Sequence, residues 1–342
     1  MAETITFLAV SSNPEAGGIY KVELDAETGA MTAKLSVPCP YLNYVIRDAK
    51  RGLYYGTVSR IDPKNESAGA GAVVFRDGEA PRLFPTGGMN SCHLALSPDG
   101  DFLYTAQYGD GTLSELPLAA DGTPGKPRVL RHAGHGVLPR QAGPHAHFAG
   151  FSPDGKFLLN VDLGLDAVFL YPYRTGQGIS DTPKQALVPP GEGPRHLVFS
   201  PSGTQVFVAN ELGSTITNFS YIDGEVRAIE TVPTILQEPA VTNWPGAIRL
   251  SPDGKGLFIS NRGDDSVAAF RIAANRLKLV RTTGSGGHWP RDIAFTRDGK
   301  FLIAANERSG NLASFRYNAE NGGLIPCGRT AAIPTVLNCV MD

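Results

Sequence analysis

The sequence predicts an all-β fold, a seven-bladed β-propeller forming a single domain over residues 1–342. Three observations lead there. A strand-turn-strand unit recurs five times with polar residues at matching offsets, its period is roughly 50 residues as in propeller blades, and no stretch carries three turns of amphipathic helical pattern.

The repeats read MNSCHLALSPDGDFLYTAQY from Met89, GPHAHFAGFSPDGKFLLNVDL from Gly143, GPRHLVFSPSGTQVFVANEL from Gly193, WPGAIRLSPDGKGLFISNRG from Trp244 and WPRDIAFTRDGKFLIAANER from Trp289. Their turns begin at Ser97, Ser152, Ser200, Ser251 and Thr296, and the Asp-Gly pairs within them are read as purely structural. An eroded copy, YLNYVIRDAKRGLYYGTVS from Tyr41, stands one period upstream of Ser97. That leaves TITFLAVSSNPEAGGIYKVEL as the first blade, completed by strand material from the other terminus so that the ring closes. One blade alone is a small sheet with two apolar faces, and stacking around an axis buries them. The chain is therefore one domain despite a length that would ordinarily suggest two. Its 40 Gly, 26 Pro and short apolar runs such as VFVAN and LFISN fit a turn-rich β-protein.

Composition narrows the function. The longest apolar runs fall far short of the ~20 residues that span a bilayer, and MAETITFLAV has no basic region before its apolar residues, so neither a membrane protein nor a signal peptide is expected. Cys39, Cys92, Cys327 and Cys339 show no C-x-x-C pairing, which points away from a zinc site or disulfide framework and toward a reduced, cytoplasmic setting. A formal charge of −2 argues against nucleic acid or an anionic membrane as partner. Monomer and homodimer both remain open.

Two polar rows carry the chemistry. Five residues before each turn stand Cys92, His147, Arg195, Gly246 and Arg291; ten and eleven after it stand Gln107-Tyr108, Asp162-Leu163, Asn210-Glu211, Asn261-Arg262 and Asn306-Glu307. Positions equally far before and after a hairpin turn lie side by side, so both rows gather at one mouth of the central channel. The candidates there are Arg140, Arg195, Arg262, Arg291, His93, His145, His147, His196, Glu211 and Glu307, with Tyr108 and Gln141 beside them. Arginines concentrated on a slightly acidic chain point to an anionic small molecule, because a guanidinium binds carboxylate or phosphate in a fork. Structural roles stand as alternatives: strand-end turns for Asn210, Asn261 and Asn306, an ion-pair ladder for Arg195 and Glu211, and buried hydrogen-bonded imidazoles for His145 and His147. Two histidines at i and i+2 on a strand share a face and could ligate metal, but no companion ligand has an evident spacing, so no metal is expected.

At these residues the chain resembles the seven-bladed β-propeller lactonases, which include propeller-type 6-phosphogluconolactonase and the carboxymuconate-lactonizing enzyme. RQAGPHAH from Arg140, GPRHLVFSPSG with NEL up to Leu212, IRLSPDGKGLFISNRGDDSV from Ile248 and WPRDIAFTRDGKFLIAANE from Trp289 carry the resemblance, which runs over most of the chain. It implies an active cleft of His147, with His145 beside it, Arg195, Glu211 and Arg262. Substrate contacts are expected from His93, Arg140, Gln141, His145, His196, Arg291, Tyr108 and Glu307, and no cofactor is expected. Two departures affect the substrate: Tyr55 to Val58 end the second blade without the usual Asn-Glu pair, and Asn306-Glu307 replaces Asn-Gln.

The expected reaction is hydrolysis of a small polar or anionic sugar-type lactone, phosphorylated or not. His147 is the first choice of base, His145 the next, and Glu211 the orienter or alternative base, while Arg195 and Arg262 stabilise the oxyanion and hold the acid group. No G-x-S-x-G elbow is present, so no acyl-enzyme is expected. A muconate-cyclase reaction, with Glu211 or His147 as proton donor, is the alternative. A non-catalytic interaction scaffold would need an apolar rim, and a quinone redox propeller would need export and metal ligands.

Overall fold

In the computed structural model, which describes residues 3–341 apart from 63, 66–67, 77 and 237–241, seven antiparallel sheets succeed one another in chain order. Their innermost strands are Val336–Val340, Leu42–Asp48, Ser91–Leu96, Ala146–Phe151, Pro194–Phe199, Trp244–Leu250 and Pro290–Phe295. Six blades have four strands. The fourth gains a fifth, because Gly178–Ile179 and Lys184–Leu187 both pair with Ala167–Arg174. Among the described residues, helix is limited to single 3-10 turns such as Pro139–Gln141.

The repeated turn explains why the hairpins share one geometry. Ser97 Oγ donates to Asp99 Oδ1 at 2.5 Å and accepts from Phe102 N at 2.9 Å, and Ser152 and Ser251 repeat both bonds. Each turn also abuts the one before it. At Gly254, where φ is +69°, a Cβ would fall 2.5 Å from Pro201 Cγ in the preceding blade, so only glycine suits both the left-handed conformation and the close approach.

The core lies between blades. Phe207 and Ile216 of the fifth blade pack on Ile248, Leu257, Ile259 and Phe270 of the sixth, all almost wholly buried. Burying one such side chain contributes roughly 1.5–3 kcal/mol, and each interface repeats the contribution.

The termini close the ring as the sequence implies. Val336–Val340 pairs with Thr4–Ser11, aligning Leu8 with Val340 and Val10 with Asn338. Asn338 then ties this seam to both neighbouring blades: its Oδ1 accepts from Val45 N at 3.2 Å and its Nδ2 donates to Asp292 Oδ2 at 3.0 Å.

Candidate active site

The row five residues before each turn proves to be a row of β-bulges. Pairing skips from Ser91 to His93, from Ala146 to Phe148, from Pro194 to His196 and from Pro290 to Asp292, leaving Cys92, His147, Arg195 and Arg291 out of register. Asn43 and Leu337 are skipped likewise in the second and first blades, and Gly246 and Ala247 together in the sixth. A bulge redirects its side chain out of the alternating pattern. Here it turns the residue toward the axis, and Asn43, Cys92, Arg195, Arg291 and Leu337 line one narrow central cavity.

Glu211 is the hub of the floor. Its Oε2 accepts from Arg262 Nη2 at 2.7 Å and lies 3.1 Å from Arg195 Nε, whose N–H points too far aside for a hydrogen bond; Oε1 accepts from Arg140 Nη2 at 3.2 Å. Arg262 is pinned further by the carbonyls of Trp244 and Pro245, each at 3.0 Å, and Arg195 by that of Gly246 at 2.9 Å. The side chains of Arg195, Glu211 and Arg262 are buried, whereas Arg140 at the rim is 39% exposed, so the cluster descends from an open mouth to a closed floor. Arg291 forms a second wall with Glu307, Nη1 to Oε2 at 3.2 Å.

Burial would raise the Glu211 pKa, but the charges of Arg262 and Arg195 and the Arg262 hydrogen bond outweigh it and hold the carboxyl at about 2. Burial, then the charges of Arg262 and Arg291, lower Arg195 to about 9 against the pull of Glu211. His147 is pushed well below the usual imidazole range by burial and by Arg195, Arg291 and Arg262. It is thus neutral at pH 7. Its Nδ1 and that of His196 are buried without a hydrogen-bond partner among the described residues.

The remaining candidates divide. His145 stacks on Tyr108 with centroids 4.5 Å apart and its Nδ1 meets the Tyr108 carbonyl at 2.7 Å, whereas His147 meets the same ring edge-on at 5.6 Å. The two histidines therefore do not act as a pair on one face, since the bulge at His147 breaks the alternation. Tyr108 in turn takes Arg140 on its hydroxyl at 3.3 Å. His93 and His196 lie one residue deeper than the bulges, 5.2 Å apart, and burial with the charges of Arg249 and Arg195 lowers His93 to about 3. Gln141 stands apart from the substrate contacts expected of it. Its buried amide bonds Leu163 O, Asp166 Oδ1 and Leu138 N, so it holds its own loop together. Glu211 is ionised and enclosed by three arginines, which leaves it no proton to donate and makes it a weak base.

Asn210, Asn261 and Asn306 are structural, by a route different from the expected one. They reach neighbouring segments, Asn210 the hydroxyls of Thr215 and Thr217, Asn261 the Thr234 carbonyl and Asn306 that of Ser285. Cys92 is a thiol pushed up to about 12 by burial and is no nucleophile, and all four cysteines are free. Among the described residues, no group of three His, Cys, Asp or Glu is arranged to hold a metal ion.

Sequence reasoning missed the aromatic side of the site. Arg140 lies 4.4 Å over the Trp244 ring and Arg262 5.7 Å from that of Trp289, and the two indoles meet edge to face at 5.5 Å. A signal was present: both tryptophans stand seven residues before their turns, in WPGAI and WPRDI. It also missed Arg249, which reaches Asp292 at 2.7 Å beneath the bulge ring.

Known proteins share this architecture. The Bacillus subtilis 6-phosphogluconolactonase is 30% identical over 280 residues, covering 80% of this chain and 78% of that protein. A periplasmic gluconolactonase of Pseudomonas aeruginosa superposes with a TM-score of 0.89 over 98% of both chains at 25% identity. A putative 6-phosphogluconolactonase of Bacteroides fragilis gives 0.88 at 28% identity, covering 98% of this chain and 97% of that one. The family model described as "Lactonase, 7-bladed beta-propeller" matches residues 6–341. With a ring of bulged polar residues at the axis and a match over almost its whole length, the chain belongs to the seven-bladed β-propeller lactonase family and is a lactone hydrolase.

Proposed function

We propose that the substrate is a small anionic, sugar-type lactone, and that His147, Arg195 and Arg262 act on its ester while Glu211 positions the two arginines. The observation that carries this reading is the charge balance of the site. Arg140, Arg195, Arg262 and Arg291 converge there against the carboxylates of Glu211 and Glu307, leaving a positive excess at a desolvated floor. Such a floor favours an anion and the negative charge that develops on a carbonyl oxygen.

In this mechanism neutral His147 takes a proton from water as the water oxygen bonds to the lactone carbonyl carbon. Arg195 and Arg262 stabilise the resulting oxyanion. Collapse breaks the ring C–O bond, the imidazolium returns its proton to the departing alkoxide oxygen, and a hydroxy acid leaves. Binding relieves part of the low basicity of His147. Apart from burial, what depresses it is the charge of Arg195, Arg291 and Arg262, which a bound anion offsets.

The same balance disfavours the lactonizing reaction, which needs an acid to protonate carbon, because Glu211 is ionised and His147 neutral. The test is an assay with 6-phosphoglucono-δ-lactone, glucono-δ-lactone and carboxymuconate. Hydrolysis of a sugar lactone above its spontaneous rate, lost in His147→Ala, is expected. Turnover of carboxymuconate alone would overturn the reading.

A further inference from the structure

Beside the arginine floor opens a cavity of about 590 Å³ lined by Thr242, Trp244, Asp265, His288, Trp289 and Arg308. Trp244 carries Arg140 of the rim on its face, and Trp289 lies against Arg262 of the floor, so the two indoles that line the cavity also border the reacting centre. Trp289 has φ of +65°, a conformation that Asn90 and Gly193 adopt at the equivalent positions of other blades at lower steric cost. Asp265 holds the backbone there. Its Oδ1 accepts the backbone N–H of Trp289 at 2.7 Å, and its Oδ2 lies 2.8 Å from His288 Nδ1.

With Asp265 thus occupied, Arg308 is a cation with no ion-pair partner among the described residues. Its guanidinium lies 3.3 Å from the Trp289 ring centre, so the ring fixes its position, and the residue itself is exposed. Arg262 and Arg308 accordingly lie against one indole, the first buried beside Glu211 and the second at the edge of an open cavity. A phosphorylated sugar lactone has the matching layout, an ester at one end of a short carbon chain and a dianion at the other.

We infer that this cavity is the subsite for the end of the lactone remote from the ester, and that Arg308, held on Trp289, binds a phosphate monoester there. The inference rests on the sugar-lactone reading above. It makes Arg308 a specificity residue rather than a catalytic one, because the cavity lies beyond the Arg195–Glu211–Arg262 floor.

The test compares kcat/KM for 6-phosphoglucono-δ-lactone and glucono-δ-lactone in the wild type, Arg308→Gln and Arg308→Lys, together with the affinity of each protein for 6-phosphogluconate by calorimetry. One lost charge-assisted hydrogen bond should lower the ratio of phosphorylated to unphosphorylated kcat/KM about ten-fold in Arg308→Gln, mainly through KM, with partial recovery in Arg308→Lys. The affinity for 6-phosphogluconate should fall in parallel. An unchanged ratio in an active enzyme, or no wild-type preference for the phosphorylated lactone, would overturn the inference and leave the proposed function standing. If the wild type hydrolyses neither lactone, the proposed function fails, and the calorimetry still decides the subsite: equal affinities in wild type and Arg308→Gln would overturn it.

Discussion

Arg262 donates to Glu211 Oε2 at 2.7 Å while two backbone carbonyls hold the same guanidinium, so carboxylate and arginine form one rigid unit at the floor of the site. Arg195 and Arg140 approach the same carboxylate. Glu211 therefore sets where three positive charges sit, and its contribution to catalysis passes through them.

Glu211→Gln should show this directly. Removing one side of a buried ion pair costs about 3–5 kcal/mol because the partners stay desolvated, so the melting temperature should drop sharply. Activity should fall about 10²-fold or more as Arg195 and Arg262 lose their register. Because the folded carboxyl titrates at about 2, below the ordinary value, the stability it confers is complete above that ordinary value and is lost as pH falls toward 2. Melting curves of both proteins across that range should converge at the acid end.

His147→Ala should lower kcat by roughly 10²- to 10⁴-fold with little change in melting temperature. Steady-state kinetics beside a thermal melt will separate the two effects. Near-normal turnover would make His147 a structural residue.

The buried imidazoles also predict a pH dependence of stability. His93, His147 and His196 all have lowered pKa values in the fold, so below about pH 6.5 the unfolded chain binds more protons than the native one. Stability should decline as pH falls from about 6.5 toward 3. Replacing His93, held at about 3, by Gln should flatten part of that decline in a denaturant titration.

Arg195→Lys retains the charge and loses the planar fork, along with the bond from Nη1 to Gly246 O. A fall of at least about ten-fold in kcat/KM is expected, with binding of an anionic inhibitor impaired less than turnover.

Asn338→Ala tests the ring closure. It removes the acceptor of Val45 N, a loss of about 1–3 kcal/mol, and one donor to Asp292 Oδ2, which keeps its bond from Cys339 N at 3.0 Å. The melting temperature should fall accordingly, as a thermal melt will show.

Much of this was legible in the chain. The 50-residue period, the Ser-Pro-Asp-Gly turns and the missing inner strand of the first blade follow from local patterns, because turn chemistry and strand alternation act over a few residues and each blade repeats them. The matching offsets placed Arg195, Glu211 and Arg262 in one ring for the same reason. What the chain could not express is decided where blades meet. The bulges turn His147 and Arg195 inward, but a bulge is a mismatch between two strands and is visible only once they pair. Gln141 shares a motif with the site residues yet folds into its own loop, and Glu211 owes its ionised state to arginines of the third, fifth and sixth blades or their connections. Charge, burial and the seating of Trp289 beside Arg308 are sums over neighbours distant in sequence, and only closure of the ring brings those neighbours together.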